Sequence, residues 1–226
     1  RRRLVPKSEV VNDVSGDVAT LFRILQRHYP QFMETLKFQV TSRREFERLA
    51  ASDPSTLTDL ERAARFLYLQ RLAFGGKIVR RTFGVDVSGG ARFNLTRLAP
   101  LLEDVHERLS GVVIENLDWR EFIQRYDRRE TLFYLDPPYF GSEKDYGKSA
   151  FQRSDFSEMA DVLSKIDGRF VLSLNDVPEV RSLFSEFHII SVPLTYTVRG
   201  GRGTDVREVI IMDRKQPVVR NLPLLE

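Results

Sequence analysis

Between residues 111 and 184 short apolar runs alternate with amphipathic helical stretches, and no other feature limits the fold as much. Val112-Val113-Ile114 precedes helical spacing from Asp118 to Tyr126. Leu132-Phe133-Tyr134-Leu135 precedes a helix to about Ile166 that Ser154 is expected to cap, and Phe170-Val171-Leu172 precedes a short helix from Glu179 to Phe184. Parallel neighbours in a sheet need a crossover, and a helix supplies it, so the pattern predicts an α/β fold with a mostly parallel, doubly wound sheet. His188 to Val192 and Val209-Ile210-Ile211 are separated by Arg199-Gly200-Gly201-Arg202-Gly203 and read as a C-terminal antiparallel hairpin. Upstream, Glu9-Val10-Val11 reads as a strand with a polar end at Asn12-Asp13, followed by an amphipathic helix from Asp17 to Tyr29.

From about Pro30 to Ser110 the alternation stops and helices follow one another. Glu45 to Ala51 is a short helix. Thr58 and Glu61 have the spacing of a capping box for a helix from Asp59 to about Phe74, which Gly75-Gly76 ends. Lys77 to Asn94 is glycine-bearing loop or hairpin, and Leu98 to Leu109 is helical again. Residues 1–29 and 111–226 are therefore expected to form one α/β domain, with 30–110 as an inserted helical domain.

Composition excludes several chemistries. With no cysteine, disulfides, zinc–thiolate sites and thiol nucleophiles are impossible. His28, His106 and His188 are scattered and read as surface or packing residues, so no metal site is expected. No apolar run approaches the roughly 20 residues of a membrane helix. Arg1-Arg2-Arg3 is followed by no apolar core of a signal peptide. The net charge of +3 permits a polyanionic partner without demanding one. Positive charge is concentrated at Arg43-Arg44, Lys77 to Arg81 and Arg199 to Arg207, each of which taken alone is equally a solvated face.

Ligands of open α/β sheets bind beyond the carboxyl ends of the strands. Three polar groups occupy such ends: Asn12-Asp13, Asn116 to Asp118, and Asp136-Pro137-Pro138-Tyr139. The third carries the sharpest chemistry. An exocyclic base amine is a poor nucleophile because its lone pair is delocalised into the ring. Acceptors for its two hydrogens favour the geometry and charge it adopts during attack. The Asp136 carboxylate and the Pro137 carbonyl supply two acceptors. Proline fixes the backbone and donates nothing. Tyr139 can stack on the base, which must leave the duplex to reach such a pocket. A rigid turn after a strand is the plain alternative; the two other polar strand ends upstream weigh against it.

Thr131 to Tyr139 resembles the Asp-Pro-Pro-Tyr motif of the Dam-type adenine-N6 DNA methyltransferases. Glu9 to Asp13 resembles that family's second motif, which implies that Asp13, with Asn12 beside it, holds the ribose hydroxyls of S-adenosylmethionine. Asn116-Leu117-Asp118-Trp119 resembles the third, which implies that Asp118 accepts from the cofactor's adenine amine and Trp119 packs on its ring; a helix-capping Asp118 is the alternative. Glu61 to Gly76, with Tyr68-Leu69-Gln70-Arg71, resembles the helix of the target-recognition insertion, and Phe93-Asn94 a pair that follows it. Thr197 to Glu208 resembles a basic glycine-rich loop near the DNA. The resemblance covers nearly the whole chain in the same order. It implies a Rossmann-like methyltransferase sheet with residues 30–110 as target-recognition domain, and catalysis by Asp136, Pro137, Pro138 and Tyr139. It also implies double-stranded DNA gripped by Arg71, Lys77, Arg80, Asn94, Arg199 and Arg202, no metal, and a place in the cytoplasm of a bacterial, archaeal or phage-infected cell.

The chain departs from the pattern in two places. Gly75 stands where the family has Asn, and the basic residue that follows is displaced towards Arg80, so the target sequence does not carry over. Nothing matches the glycine-rich first motif and its strand, which in the family precede the segment matched by Glu9 to Asp13. Gly75-Gly76-Lys77 follows a helix and is no substitute. The chain is therefore expected to begin inside the cofactor domain, and a DNA-binding relative without cofactor binding is the second reading. Methyl transfer to cytosine-N4, RNA or protein glutamine is the third, ranked lower because Asp at position 136 resembles the adenine enzymes.

Overall fold

The computed structural model describes residues 6–73, 81–84, 92–143, 151–196 and 204–213, without the side chains of 194–196 and 204–206. Lys77, Arg80, Gly75-Gly76, Arg199 and Arg202 lie outside the described residues. The chain divides into two compact units, Arg1–Phe122 and Ile123–Glu226.

In the first unit β1 (Val10–Asn12) pairs in parallel with β2 (Val113–Glu115), with Asn12 opposite Glu115. The long crossover between them is helical. α1 (Gly16–Arg27) buries Leu21, Ile24 and Leu25, with Val18 and Phe22 partly buried against the same core. α2 (Tyr29–Leu36) takes Pro30 into its first turn, where a missing N–H costs nothing, so Pro30 starts a helix. α3 (Arg43–Ala51) is capped by Ser42, whose side chain accepts from the Glu45 N–H at 3.1 Å. α4 (Asp59–Leu72) begins with the predicted Thr58–Glu61 capping box. It is buried without a break from Ala63 to Leu69, as a helix surrounded by others must be. Arg65 lies within this run and donates to Leu49 O at 2.7 Å and Ser52 Oγ at 3.1 Å, closing the C-terminal end of α3. α5 (Leu95–Leu109) begins three residues before the predicted start. It is followed by Gly111 at φ +78°, the left-handed conformation that suits glycine after a helix. One continuous core joins α1 to α2–α5 and Val112.

α6 (Trp119–Tyr126) leads into the second unit, where β3 (Leu132–Leu135), β4 (Arg169–Asn175), β5 (His188–Tyr196) and β6 (Thr204–Met212) form a sheet in the order β3-β4-β6-β5. β3 and β4 are parallel, while β6 is antiparallel to both β4 and β5. The hairpin β5–β6 is thus as predicted, with β6 inserted next to β4. Phe133, Leu135, Phe170, Leu172, Leu174, Val209 and Ile211 are buried, together with Phe156, Met159 and Leu163 of α7 (Arg153–Leu163) and Val180 of α8 (Pro178–Leu183). Their neighbours on β3, Leu132 and Tyr134, are 63% and 68% exposed, so this strand buries one face only.

Two expectations are corrected. The predicted single, mostly parallel sheet is, among the described residues, a two-stranded and a four-stranded sheet, each containing one parallel pair. The short apolar runs establish that strands exist, whereas their partners depend on chain closure elsewhere. Ser154 does not cap α7. The helix begins at Arg153, where the buried Asp155 accepts from the Gln152 N–H at 2.8 Å.

Candidate active site

The carboxyl end of the β1–β2 pair is held by asparagine amides. Asn12, the last residue of β1, accepts from the Leu117 N–H at 2.9 Å and donates to the Leu117 carbonyl at 3.1 Å. Asn116 reaches back and donates to the carbonyls of Asp13 at 2.7 Å and Val14 at 3.0 Å. These bonds span more than a hundred residues of sequence and lock the two strand-end loops together. Asn12, expected to contact cofactor, has its amide engaged by the chain itself.

Asp13 is half-buried inside this frame. One of its oxygens accepts from the Ser15 N–H at 2.7 Å, and the other takes no bond among the described residues. Burial pushes its carboxyl above the ordinary value, and the Ser15 N–H pulls it partly back. A desolvated carboxylate with one open oxygen fits vicinal hydroxyl donors, the chemistry of a ribose. Asp118 is more committed. It accepts from the Arg120 N–H at 2.9 Å at the start of α6 and forms an ion pair with the Arg120 guanidinium at 3.3 Å. That guanidinium also lies 4.4 Å from the centre of the Trp119 ring. Both residues expected to receive the cofactor's adenine are engaged by Arg120.

In the second unit the loop Asp136-Pro137-Pro138-Tyr139 leaves the carboxyl end of β3 and is gripped by the two strands beyond it. Asp136 is exposed, and its Oδ1 accepts from the Ser173 hydroxyl at 2.8 Å. Asn175, the last residue of β4, accepts from the Phe140 N–H at 2.8 Å and donates to the Phe140 carbonyl at 3.0 Å. The Tyr139 hydroxyl donates to Glu208 of β6, which is registered opposite Asn175. Gly141 at φ +96° then turns the chain. Beyond it the Glu143–Arg153 ion pair, at 2.8 Å, places the guanidinium 3.9 Å from the centre of the Phe140 ring. Among the described residues nothing donates to Asp136 Oδ2 or to the Pro137 carbonyl. The loop therefore offers two adjacent acceptors, one charged and one neutral.

Ser173, Asn175 and Glu208 were not assigned roles from sequence. The polar end Asn175-Asp176 after an apolar run was a signal for one of them, since it repeats the form of Asn12-Asp13. The expected DNA contacts within the described residues are Arg71, exposed in the last turn of α4, and Asn94, which caps α5 by accepting from the Arg97 N–H at 3.4 Å. Tyr68 and Leu69, beside Arg71, are fully buried. The Tyr68 hydroxyl donates to Val40 O at 2.8 Å, and its ring lies 5.1 Å from that of Phe93. His106 Nδ1 donates to the Leu25 carbonyl at 2.7 Å, and its ring stacks on Tyr29, which is a packing role.

Two sheets that each contain one parallel pair, flanked by helices and with acidic residues at strand ends, make this a mixed α/β protein. The sequence profile of the D12 class N6 adenine-specific DNA methyltransferases matches residues 3–198, and the chain belongs to that family. It is similar to the type II methyltransferase M1.LlaDCHI of Lactococcus lactis subsp. cremoris, at 24% identity over 86% of this chain and 74% of that protein. It is also similar to the type II methyltransferase M.CviBI of Paramecium bursaria Chlorella virus NC1A, at 19% identity over 80% of this chain and 70% of that protein. Adenine-N6 methylation of DNA is the activity that the family's description names, and both relatives are methyltransferases. No helix among the described residues is long and apolar enough to cross a membrane.

Proposed function

We propose that this chain transfers a methyl group from S-adenosylmethionine to N6 of an adenine turned out of duplex DNA. The observation that carries the reading is the Asp136–Tyr139 loop, held by Ser173 of β4 and Glu208 of β6 and fixed at the next residue by Asn175, with Asp136 Oδ2 and the Pro137 carbonyl left as acceptors among the described residues. One N6 hydrogen bonds to each. The nitrogen gains positive charge as it bonds the methyl carbon, and the Asp136 carboxylate favours that charge in a site whose dipoles are already oriented. As the nitrogen–carbon bond forms, the methyl carbon–sulfur bond would break and leave its electron pair on the sulfur, which becomes neutral, and the amine then passes one N6 proton to water. The Tyr139 ring stacks on the base, its hydroxyl tethered by Glu208.

S-adenosylmethionine, when bound, supplies a methyl carbon made electrophilic by a positively charged sulfur. Asp13 would hold its ribose hydroxyls through the open oxygen, with Asn12 fixing the loop that carries Asp13. Asp118 and Trp119 would serve its adenine after Arg120 leaves them. In this reading residues 30–110 and the loop 199–207 grip the DNA, with Arg71, Lys77, Arg80, Arg199 and Arg202 on phosphates or bases. Asn94 contributes by starting α5.

The test is methyl incorporation into duplex DNA from radiolabelled cofactor, followed by digestion and product analysis. N6-methyladenine is the expected product. N4-methylcytosine, or labelled RNA or protein, would replace this reading with another acceptor, and cofactor-independent DNA binding without transfer would replace it with a binding protein. Binding of duplex DNA across a salt series tests the grip. Changing Arg71, Lys77, Arg80 and Arg202 together to Ala should flatten the salt slope, by about one unit for each phosphate that is no longer neutralised. A variant that binds like the parent at every salt concentration would place the DNA elsewhere.

A further inference from the structure

We infer that Ser173 decides which oxygen of Asp136 is left for the target amine; this rests on the role proposed above for Asp136. Ser173 lies inside β4, registered opposite Ile210, and is only 6% exposed. A hydroxyl so placed needs an acceptor, and it finds Asp136 Oδ1 at 2.8 Å. Two residues along the strand, on the same face, Asn175 takes both the N–H and the carbonyl of Phe140. One strand therefore holds the first residue of the Asp-Pro-Pro-Tyr loop and the residue just after it.

The prolines cannot do what Ser173 does. They fix φ at positions 137 and 138 but leave the Asp136 carboxylate to rotate about its terminal torsion, which has a broad, shallow profile. Only a donor to one oxygen stops that rotation. With Oδ1 held against β4, rotation of the carboxylate is stopped, and Oδ2 and the Pro137 carbonyl remain as acceptors without a donor among the described residues. Ser173 touches neither the base nor the methyl group, so it is a positioning residue acting through Asp136. Such a role belongs to the reaction step: the carboxylate must be aligned when the amine attacks, whereas cofactor and DNA are bound by other groups.

The experiment compares S173A, S173V and S173T. Val keeps the bulk of Thr without the hydroxyl, so the pair separates the hydrogen bond from packing. Single-turnover methylation at saturating cofactor and DNA should fall about tenfold in S173A and S173V, the scale of one hydrogen bond to a charged group. S173T should stay near the parent, and the dissociation constants for S-adenosylmethionine and duplex DNA should not move. A second readout needs no turnover. In protein carrying 13C-carboxyl aspartate, the Asp136 resonance, assigned by its loss in D136N, should shift in S173A and S173V and hold in S173T. A parent that methylates nothing sinks the role given to Asp136 itself. A methylating parent whose S173A and S173V variants keep its rate, or leave the Asp136 resonance in place, sinks only the role of Ser173.

Discussion

The carboxyl ends of the two parallel strand pairs use one device beside two different acids. At each, an asparagine at a strand terminus clamps the backbone of the loop after the neighbouring strand: Asn12 of β1 takes both polar groups of Leu117, and Asn175 of β4 takes both polar groups of Phe140. The acids beside these clamps differ. Asp13 is half-buried, with its ionised form opposed by desolvation. Asp136 is exposed and tied by one oxygen to a buried serine. Within each pair, parallel strands bring their two loops to the same end, so a two-pronged amide on one strand can hold the loop of the next. What the held acid then does depends on its own surroundings.

Removing the acid from each should separate the two ends most sharply. Asp136→Ala should lower methyl incorporation by about 100-fold or more while duplex binding by fluorescence anisotropy stays near the parent. Activity within a few-fold of the parent would take Asp136 out of the reaction. Asp13→Ala should leave DNA binding alone and raise the S-adenosylmethionine dissociation constant by about tenfold, the scale of one hydrogen bond to a charged group. Unchanged cofactor affinity in the folded variant would reduce Asp13 to a partner of Ser15.

The clamps themselves should show smaller, crossed effects. Asn175→Ala should slow the single-turnover rate by roughly fivefold at saturating cofactor, and Asn12→Ala should weaken cofactor binding by roughly the same factor with little change in that rate. If both variants lose rate alone or affinity alone, the two ends do not have separate tasks.

Acid titration sharpens the comparison with the smallest effects, because two acids respond with opposite sign. The folded Asp13 carboxyl lies above its ordinary value of 3.8, so protonation favours the fold. Its contribution to stability is full below 3.8 and is lost as pH rises through the folded value. Asp176, beside Asn175, is held at about 2 instead of 3.8, first by its hydrogen bond from Arg181 and also by Ser191 and the charge of Arg207. Its contribution is present above 3.8 and is lost as pH falls towards 2. Denaturant unfolding of Asp13→Asn and Asp176→Asn across this range should give differences from the parent that run in opposite directions with pH. Parallel curves would mean that the surroundings assigned to one of these acids are wrong.

Residue order alone determined what depends on near neighbours. The run Leu132 to Leu135 is legible as a strand because it is short, apolar and bounded by a polar turn, and the residues after it are a loop because two prolines cannot continue the ladder; that only Phe133 and Leu135 of the run are buried was decided by the fold. The Thr58–Glu61 box marks the start of α4 because both partners lie within one turn. Asp13 and Asp136 were legible as candidates because strand ends are where open sheets carry their ligands. Tertiary structure decided everything whose partner is far along the chain. Asn12 meets Leu117 across 105 positions, Ser173 meets Asp136 across 37, and Glu208 meets Tyr139 across 69. No local spacing records these meetings, because register and strand order are set by how the whole core packs. The same packing sends Tyr68 and Phe93 into that core, although their motif neighbours suggested a DNA-facing surface. Asn94, by contrast, caps α5 through the Arg97 N–H only three positions on, a local contact that residue order carries.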